Sequence, residues 1–329
     1  DLLAGDLDFH DERSDLASHN MHSFPAKYPP QLPRIFIEAL TSPGERVLDP
    51  MMGSGTTLVE AYLTGRQGIG FDIDPLAVRL SRSKVHPLDA PTVLDAGATI
   101  LERAQQALAG GAAALDAEMR ARYDAASLRF IRYWFHAQTQ RALYALIREI
   151  ERLRDDALRS FFEIAFSACI ITKSGGVSLA FDLAHTRPHR AKIVYDEAGR
   201  VIVGEQHLGG DSPRLKLLTK RLRSPLDEFA KRVERNLLSL PSPSAASAVS
   251  LIAHGDAQHL PLGDASVDLI VTSPPYAANA IDYMRAHKFS LVWLGLTVDA
   301  LSERRGDYIG GEALQQVHFE SLPPRTWGI

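Results

Sequence analysis

Cysteine is nearly absent from this sequence: Cys169 is the only one in 329 residues. An internal disulfide and any cysteine-rich zinc site are thereby excluded. Cys169 sits in Phe166-Ser167-Ala168-Cys169-Ile170, a setting that suits a buried, inert thiol better than a nucleophile. No apolar run is long enough to cross a bilayer and no signal peptide opens the chain, so the expectation is cytosolic residence with no membrane partner. No metal site is expected, and we find no internal repeat. A large excess of one charge is also lacking. Thirty-six Lys and Arg stand against 40 Asp and Glu, a formal net charge of −4. That argues against indiscriminate nucleic-acid binding, but the average conceals a distribution. Lys173 to Arg235 holds 13 basic and 8 acidic residues, so this segment carries +5 and the remainder −9.

What is present is an ordinary globular balance, 45% hydrophobic and 23% charged, with length enough for two domains and a substantial core. One stretch organises the rest. Val271-Thr272-Ser273-Pro274-Pro275-Tyr276 follows an apolar run, Val267 to Val271, that reads as a buried strand. Two prolines cannot extend that strand, so the chain must turn there. The turn aims a hydroxyl, backbone carbonyls and an aromatic ring beyond a strand end, where open α/β sheets bind ligands. A lone Ser-Pro-Pro-Tyr is equally well an ordinary turn.

A second stretch changes the balance. Val47-Leu48-Asp49 reads as a short strand, Pro50 to Thr57 as a glycine-bearing loop, and Leu58 to Thr64 as a helix stopped by Gly65. The tight Gly53-Ser54-Gly55 turn before a helix lets backbone approach a ligand closely. The next strand, Gly68 to Phe71, ends in Asp72-Ile73-Asp74-Pro75. A carboxylate at that point is placed for ribose hydroxyls, or it is a helix N-cap. We assign Asp72 to the first role and Asp74 to the second.

Before these, three prolines in Met21 to Pro30 impose an extended loop, followed by a helix from Gln31. Residues 91–175 are strongly helical, with one helix from about Ala98 to Ala109. Tyr133-Trp134-Phe135 reads as core rather than as a base-stacking platform. Val177 to Leu183 reads as a strand, and Ile193-Val194-Tyr195 with Val201-Ile202-Val203 as a hairpin. The basic residues around them (Lys173, Arg187, His189, Arg190 and Lys192, then Arg214, Lys216, Lys220, Arg221 and Arg223) are either a solvated face or a phosphate-contacting surface. A helix follows near Pro225 to Leu240. Residues 241–248 form a linker, Val249 to Ala253 a strand, and Asp256-Ala257 lies at its end.

At this point the chain resembles a family. Asp49-Pro50-Met51-Met52-Gly53-Ser54-Gly55-Thr56-Thr57 is similar to motif I of the amino-methylating DNA methyltransferases, with Met51 at a common Phe position. Thr272-Ser273-Pro274-Pro275-Tyr276 is similar to their motif IV, in the form typical of N4-cytosine enzymes. Asp72 and Asp256 match the acidic positions of motifs II and III, and His22 to Tyr28 resembles motif X.

The resemblance implies an α/β fold: a Rossmann-like methyltransferase sheet with a large, mainly helical insert carrying a small β element. Residues 1–90 and 249–329 would form the catalytic domain, and 91–248 a target-recognition insert whose basic residues touch DNA. It implies S-adenosyl-L-methionine as cofactor, held by Ser23, Phe24 and Ala26, by Asp49, Pro50, Gly53, Ser54, Gly55 and Thr56, and by Asp72, Ile73, Asp256 and Ala257. Ser273, Pro274, Pro275 and Tyr276 would act on a cytosine flipped from duplex DNA. The implied setting is a nucleoid-associated monomer or homodimer, with a cognate restriction endonuclease as a functional partner. The family sheet has seven strands, whereas only four core strands are placed here, near residues 47, 69, 251 and 269. Either the C-terminal part of the sheet is expected to lie outside this sequence, or separate segments of a longer chain are joined in it. The readings that compete are an N6-adenine methyltransferase, an RNA or protein methyltransferase, and a non-catalytic DNA-binding protein on the same fold.

Overall fold

The computed structural model describes residues 7–9, 11–14, 16–172, 176–181, 183, 188–205, 219–241, 249–275 and 282–308. Its centre is a parallel sheet drawn from both ends of the chain. Strand β1 (Arg46–Asp49) pairs with β2 (Gln67–Asp72) on one side and β7 (Leu269–Ile270) on the other; β2 pairs in turn with β6 (Leu251–His254). The order is β6-β2-β1-β7, with every pair parallel. This is the Rossmann-like arrangement, with the four strands where the sequence places them. The inner strands β1 and β2 are buried, but Leu251 on β6 and Ile270 on β7 are 56% and 58% exposed, so the run from Val267 to Val271 is not the buried strand expected: it lies at the edge of the sheet.

Local chemistry explains the crossovers. Helix α1 (Gln31–Leu40) starts directly after Pro29-Pro30, and the turn before β1 closes through Gly44 N–H to Gly65 C=O at 2.8 Å. Helix α2 (Thr56–Leu63) starts two residues earlier than expected, because Gly55 takes the left-handed conformation at its N-cap, φ +76°. Helix α3 (Pro75–Val85) is capped as predicted: Asp74 Oδ1 accepts from Leu76 N at 2.8 Å and Pro75 opens the first turn. Gly70 on β2 lets α2 lie on bare backbone, since a Cβ there would stand 2.5 Å from Leu58 Cδ1.

The chain then leaves the sheet for α4 (Ala90–Ala109), α5 (Ala112–Arg122), α6 (Ala125–Trp134), α7 (Ala137–Ile150) and α8 (Asp156–Ile170). Helix α4 begins well before Ala98 because Asp89 caps it and Pro91 sits in its first turn. A small sheet follows: β3 (Ile193–Tyr195) runs antiparallel to β4 (Val201–Val203), the expected hairpin, and parallel to β5 (Thr219–Arg221). The expected strand over 177–183 is not formed. Among the described residues it contributes only an isolated bridge, Ala180 to Arg190, while Leu179 N–H turns to the Trp134 carbonyl at 2.7 Å. Helix α9 (Pro225–Ser239), capped by Ser224, packs on α8 and α4. After β7 come α10 (Tyr283–Leu291) and α11 (Val298–Glu303). The linker over 242–248 lies outside the described residues. No described helix is long and apolar enough to cross a membrane.

The main hydrophobic core is shared. It joins Met21 and Phe24 of the N-terminal loop, Leu76 and Leu80 of α3, Phe161, Phe162 and Phe166 of α8, and Phe289 of α10 with the adjoining Trp293. Cys169 lies inside it, its thiol donating to the Ala165 carbonyl and shifted up by burial, as an inert thiol should be.

Candidate active site

Beyond the carboxyl ends of these strands the loops line a crevice of about 110 Å³. Its floor is stitched from three segments far apart in sequence. Asp49, fully buried at the end of β1, accepts from Met51 N at 3.2 Å and from Thr272 Oγ1 at 2.7 Å through Oδ1. Its Oδ2 has no partner among the described residues. Burial pushes its pKa up to about 6, against the pull of the Thr272 and Thr57 hydroxyls. Thr57 Oγ1 donates to the Val271 carbonyl at 3.2 Å and is bonded to the Tyr28 hydroxyl. The N-terminal loop, the glycine loop and the Ser-Pro-Pro turn are thus tied together under the crevice.

Asp72 and Asp74 divide their work as the sequence suggests, with an addition. Asp72 Oδ2 accepts from Gly53 N and Oδ1 from Asp74 N, each at 2.8 Å. Burial, reinforced by the neighbouring Asp74 charge, pushes Asp72 up to about 7. Burial also works against the Asp74 carboxylate. The charge and hydrogen bond of His287 outweigh it, and Asp74 stays below its ordinary range. His287 Nδ1 is bonded to Asp74 Oδ2, and its ring lies 4.9 Å from that of Phe24. Phe24 is held between His287 and Tyr283, one turn apart on α10.

Around the crevice stand Phe24, Ala26 and Tyr28 from the N-terminal loop, and Pro50, Met51, Met52, Gly53 and Ser54 from the glycine loop. Asp72, Ile73 and Asp74 follow β2; Gly255, Asp256 and Ala257 follow β6; Ser273 and Pro275 follow β7. Tyr283, Asp307 and Tyr308 close the far side. The wall thus offers four aromatic side chains, a carboxyl poised to ionise, and a hydroxyl on a rigid turn.

A family model described as DNA methylase matches residues 9–83, which hold the N-terminal loop, the glycine loop and Asp72. Over that segment the chain is similar to the N6/N4 amino-group DNA methyltransferases. The Type II methyltransferase M.MvaI of Kocuria varians is 27% identical over 304 residues, covering 86% of this chain and 58% of that protein. The Type II methyltransferase M.BsoBI of Geobacillus stearothermophilus is 24% identical over 303 residues, 87% of this chain and 54% of its own length. The Type II methyltransferase M.MjaII of Methanocaldococcus jannaschii is 37% identical over 87 residues, 26% of this chain and 16% of that protein. The chain thus spans somewhat more than half the length of the two relatives that match most of it. No solved structure matches it.

Beside this likeness, the placement of each sequence-derived residue is informative. Phe24, Ala26, Pro50, Gly53, Ser54, Asp72, Ile73, Asp256, Ala257, Ser273 and Pro275 meet at the crevice. Ser23 and Pro274 stand off its wall, and Tyr276 lies outside the described residues. Asp49, Gly55 and Thr56 lie behind the wall. Asp49 braces the floor, and a Cβ on Gly55 would meet Ser81 Oγ at 2.5 Å, so that glycine serves helix packing rather than contact with a ligand.

Sequence reasoning missed Asp74, Tyr283 and His287 as site residues. It also missed Lys84, which is fully buried on α3 and donates to the Ser54 carbonyl at 2.6 Å. His287 carried no signal at all, being 213 residues from its partner. Of the basic set, His189, Lys192, Arg221 and Arg223 are exposed and Arg190 is half-exposed. Lys220 is corrected: it is buried, its ammonium donates to the Ala180 carbonyl, and burial pulls its pKa down to about 7. It is not available to a phosphate. Lys173, Arg187, Arg214 and Lys216 lie outside the described residues.

Proposed function

We propose that this chain transfers the methyl group of S-adenosylmethionine to the exocyclic N4 amine of a cytosine flipped out of duplex DNA. The observation that supports this most directly is the hydroxyl of Ser273 on the wall of the same crevice that holds Phe24, Gly53 and Asp72. The residues present suit the cofactor. The carboxyl of Asp72 lines the crevice for ribose hydroxyls, the Phe24 ring lies against the Gly53 position, and Asp256 with Ala257 flanks the position for a purine. When bound, the cofactor supplies a methyl group activated on a sulfonium sulfur.

The protein's task is to prepare the amine. Its nitrogen lone pair is delocalised into the base, which makes it a poor nucleophile. Ser273 Oγ accepts one N–H and the main-chain carbonyl of Pro274 the other, which holds the nitrogen nearer tetrahedral geometry. Asp49 fixes the turn that carries them, through Thr272. Positioning provides most of the rate, and Tyr276 stacks on the flipped ring. Serine at this place, rather than a carboxylate or an amide, favours cytosine over adenine.

The test is incubation with a mixed-sequence duplex and labelled S-adenosylmethionine, digestion to nucleosides and mass spectrometry. N4-methylcytosine is expected, with the rate lowered about a hundredfold in Ser273→Ala and also reduced in Tyr276→Ala. N6-methyladenine would keep the mechanism and overturn the substrate. Labelled protein or RNA, with no labelled DNA, would overturn the DNA reading.

A further inference from the structure

Two cations sit on aromatic rings where α6 meets α10 and the segment before the small sheet. Arg190 lies over Tyr133 with its guanidinium carbon 5.2 Å from the ring centre, and its Nε donates to the Tyr133 carbonyl at 2.9 Å. Lys288 Nζ lies 5.6 Å from the centre of the Phe130 ring. Phe130 and Tyr133 are three residues apart on α6, hence neighbours on its surface. Arg129 is exposed four residues before Tyr133 and makes no ion pair among the described residues. The ring of Phe130 is 5.1 Å from that of Phe289 on α10, and Trp134 is 5.0 Å from the same ring, so the two helices form one ridge. Neither α6 nor α10 contains an acidic residue. Asp282, the cap of α10, is already paired with Arg305 and Arg285.

The sequence pattern assigned Tyr133 to the core, yet 55% of it is exposed. Holding an arginine over such a ring fixes its stem while leaving the guanidinium edge for an anion. Along α10, Lys288 follows Tyr283 of the crevice wall by five residues, about 7.5 Å of helix rise. Lys288 is turned about 140° round the helix from Tyr283, so α10 shows one face to the crevice and carries the strip on another, which runs across α6 to Arg190, beside the exposed Lys192 that leads into the small sheet.

We propose that this ridge of Arg129, Arg190 and Lys288, seated on Tyr133 and Phe130, is the track that contacts the sugar–phosphate backbone of duplex DNA next to the flipped base. It rests on the reading of the chain as a DNA methyltransferase and adds where the duplex lies. Cations held on aromatic rings suit a phosphate backbone, and such contacts set register rather than sequence.

The experiment is fluorescence anisotropy of a labelled mixed-sequence duplex with the full chain, over a salt series, beside the methyl-transfer assay. The double variant Arg129→Gln/Lys288→Gln removes two phosphate contacts. The slope of log affinity against log salt should flatten by about 1.8, with affinity falling roughly tenfold or more at low salt. Tyr133→Phe keeps the ring and should bind like the wild type, while Tyr133→Ala should bind several-fold more weakly. Arg103→Gln, on the exposed face of α4, should change nothing. A double variant with an unaltered melting curve and an unaltered salt slope overturns the track, while wild-type methylation of DNA leaves the functional reading standing. A wild-type chain that neither binds nor methylates any duplex overturns both.

Discussion

At the scale of single residues, the site is governed by carboxyls held away from water. Asp72 is the clearest. Two backbone N–H groups hold its oxygens, yet burial and the Asp74 charge push it up to about 7. A carboxyl raised in the folded state costs stability as pH rises. The fold binds the extra proton, so stability falls between the unfolded value near 4 and about pH 7 and is level above. Binding runs the other way. If ribose hydroxyls donate to the carboxylate as proposed, cofactor affinity should rise about tenfold from pH 6 to pH 8 as Asp72 ionises. Titration calorimetry across that range measures it. In Asp72→Asn the affinity should be low and flat. A wild-type profile without slope would separate Asp72 from cofactor binding. The residue scale also shows how sequence patterns mislead. Lys220 belongs to a basic run, but its stem lies in the small core under β3 and β5 and its amine is spent on Ala180.

At the scale of elements, α10 is the part that converts a sheet with loops into a closed site. Its residues Tyr283 and His287 clamp Phe24, and His287 reaches the cap of α3 through Asp74. Behind them runs a buried polar line: His22 Nε2 is bonded to Ser167 Oγ, which donates to Ser290 Oγ at 2.9 Å. This line joins the N-terminal loop, α8 and α10. Removing one member of a buried pair leaves the other uncompensated, typically at a cost of about 3–5 kcal/mol. His287→Ala should therefore lower stability by an amount in that range, measured by urea unfolding, and weaken cofactor binding through Phe24. In the background of Asp74→Asn the same substitution should cost much less, because no carboxylate is stranded. Additive losses in this cycle would show that the two groups act independently.

At the scale of the whole molecule, the helical region is not an appendage. Helices α4 to α9 share one hydrophobic core with α3, α10 and the N-terminal loop, while smaller clusters line the two faces of the sheet. The crevice and the helical region should therefore unfold together. Far-UV circular dichroism and tryptophan fluorescence are expected to give coincident urea transitions with one midpoint. Two separated midpoints would mark the insert as an independent folding unit.

What the sequence determined by itself was the chemistry that depends on local order. Asp49, the Gly53-Ser54-Gly55 turn, the Asp74-Pro75 cap and the Ser-Pro-Pro turn are legible because strand ends, positive φ and missing donors constrain adjacent residues. The four strands of the sheet were legible for the same reason, as short apolar runs ending in turn residues. The tertiary structure alone decided which distant groups meet. Nothing local marks His287 as the partner of Asp74, Thr272 as the donor to Asp49, or Lys84 as the support of Ser54, because each contact spans from 30 to 223 residues of chain. Burial was likewise decided in three dimensions. The alternation of residues cannot tell that Tyr133 faces solvent under Arg190 while Lys220 is enclosed, since exposure depends on what packs against an element and not on the element itself.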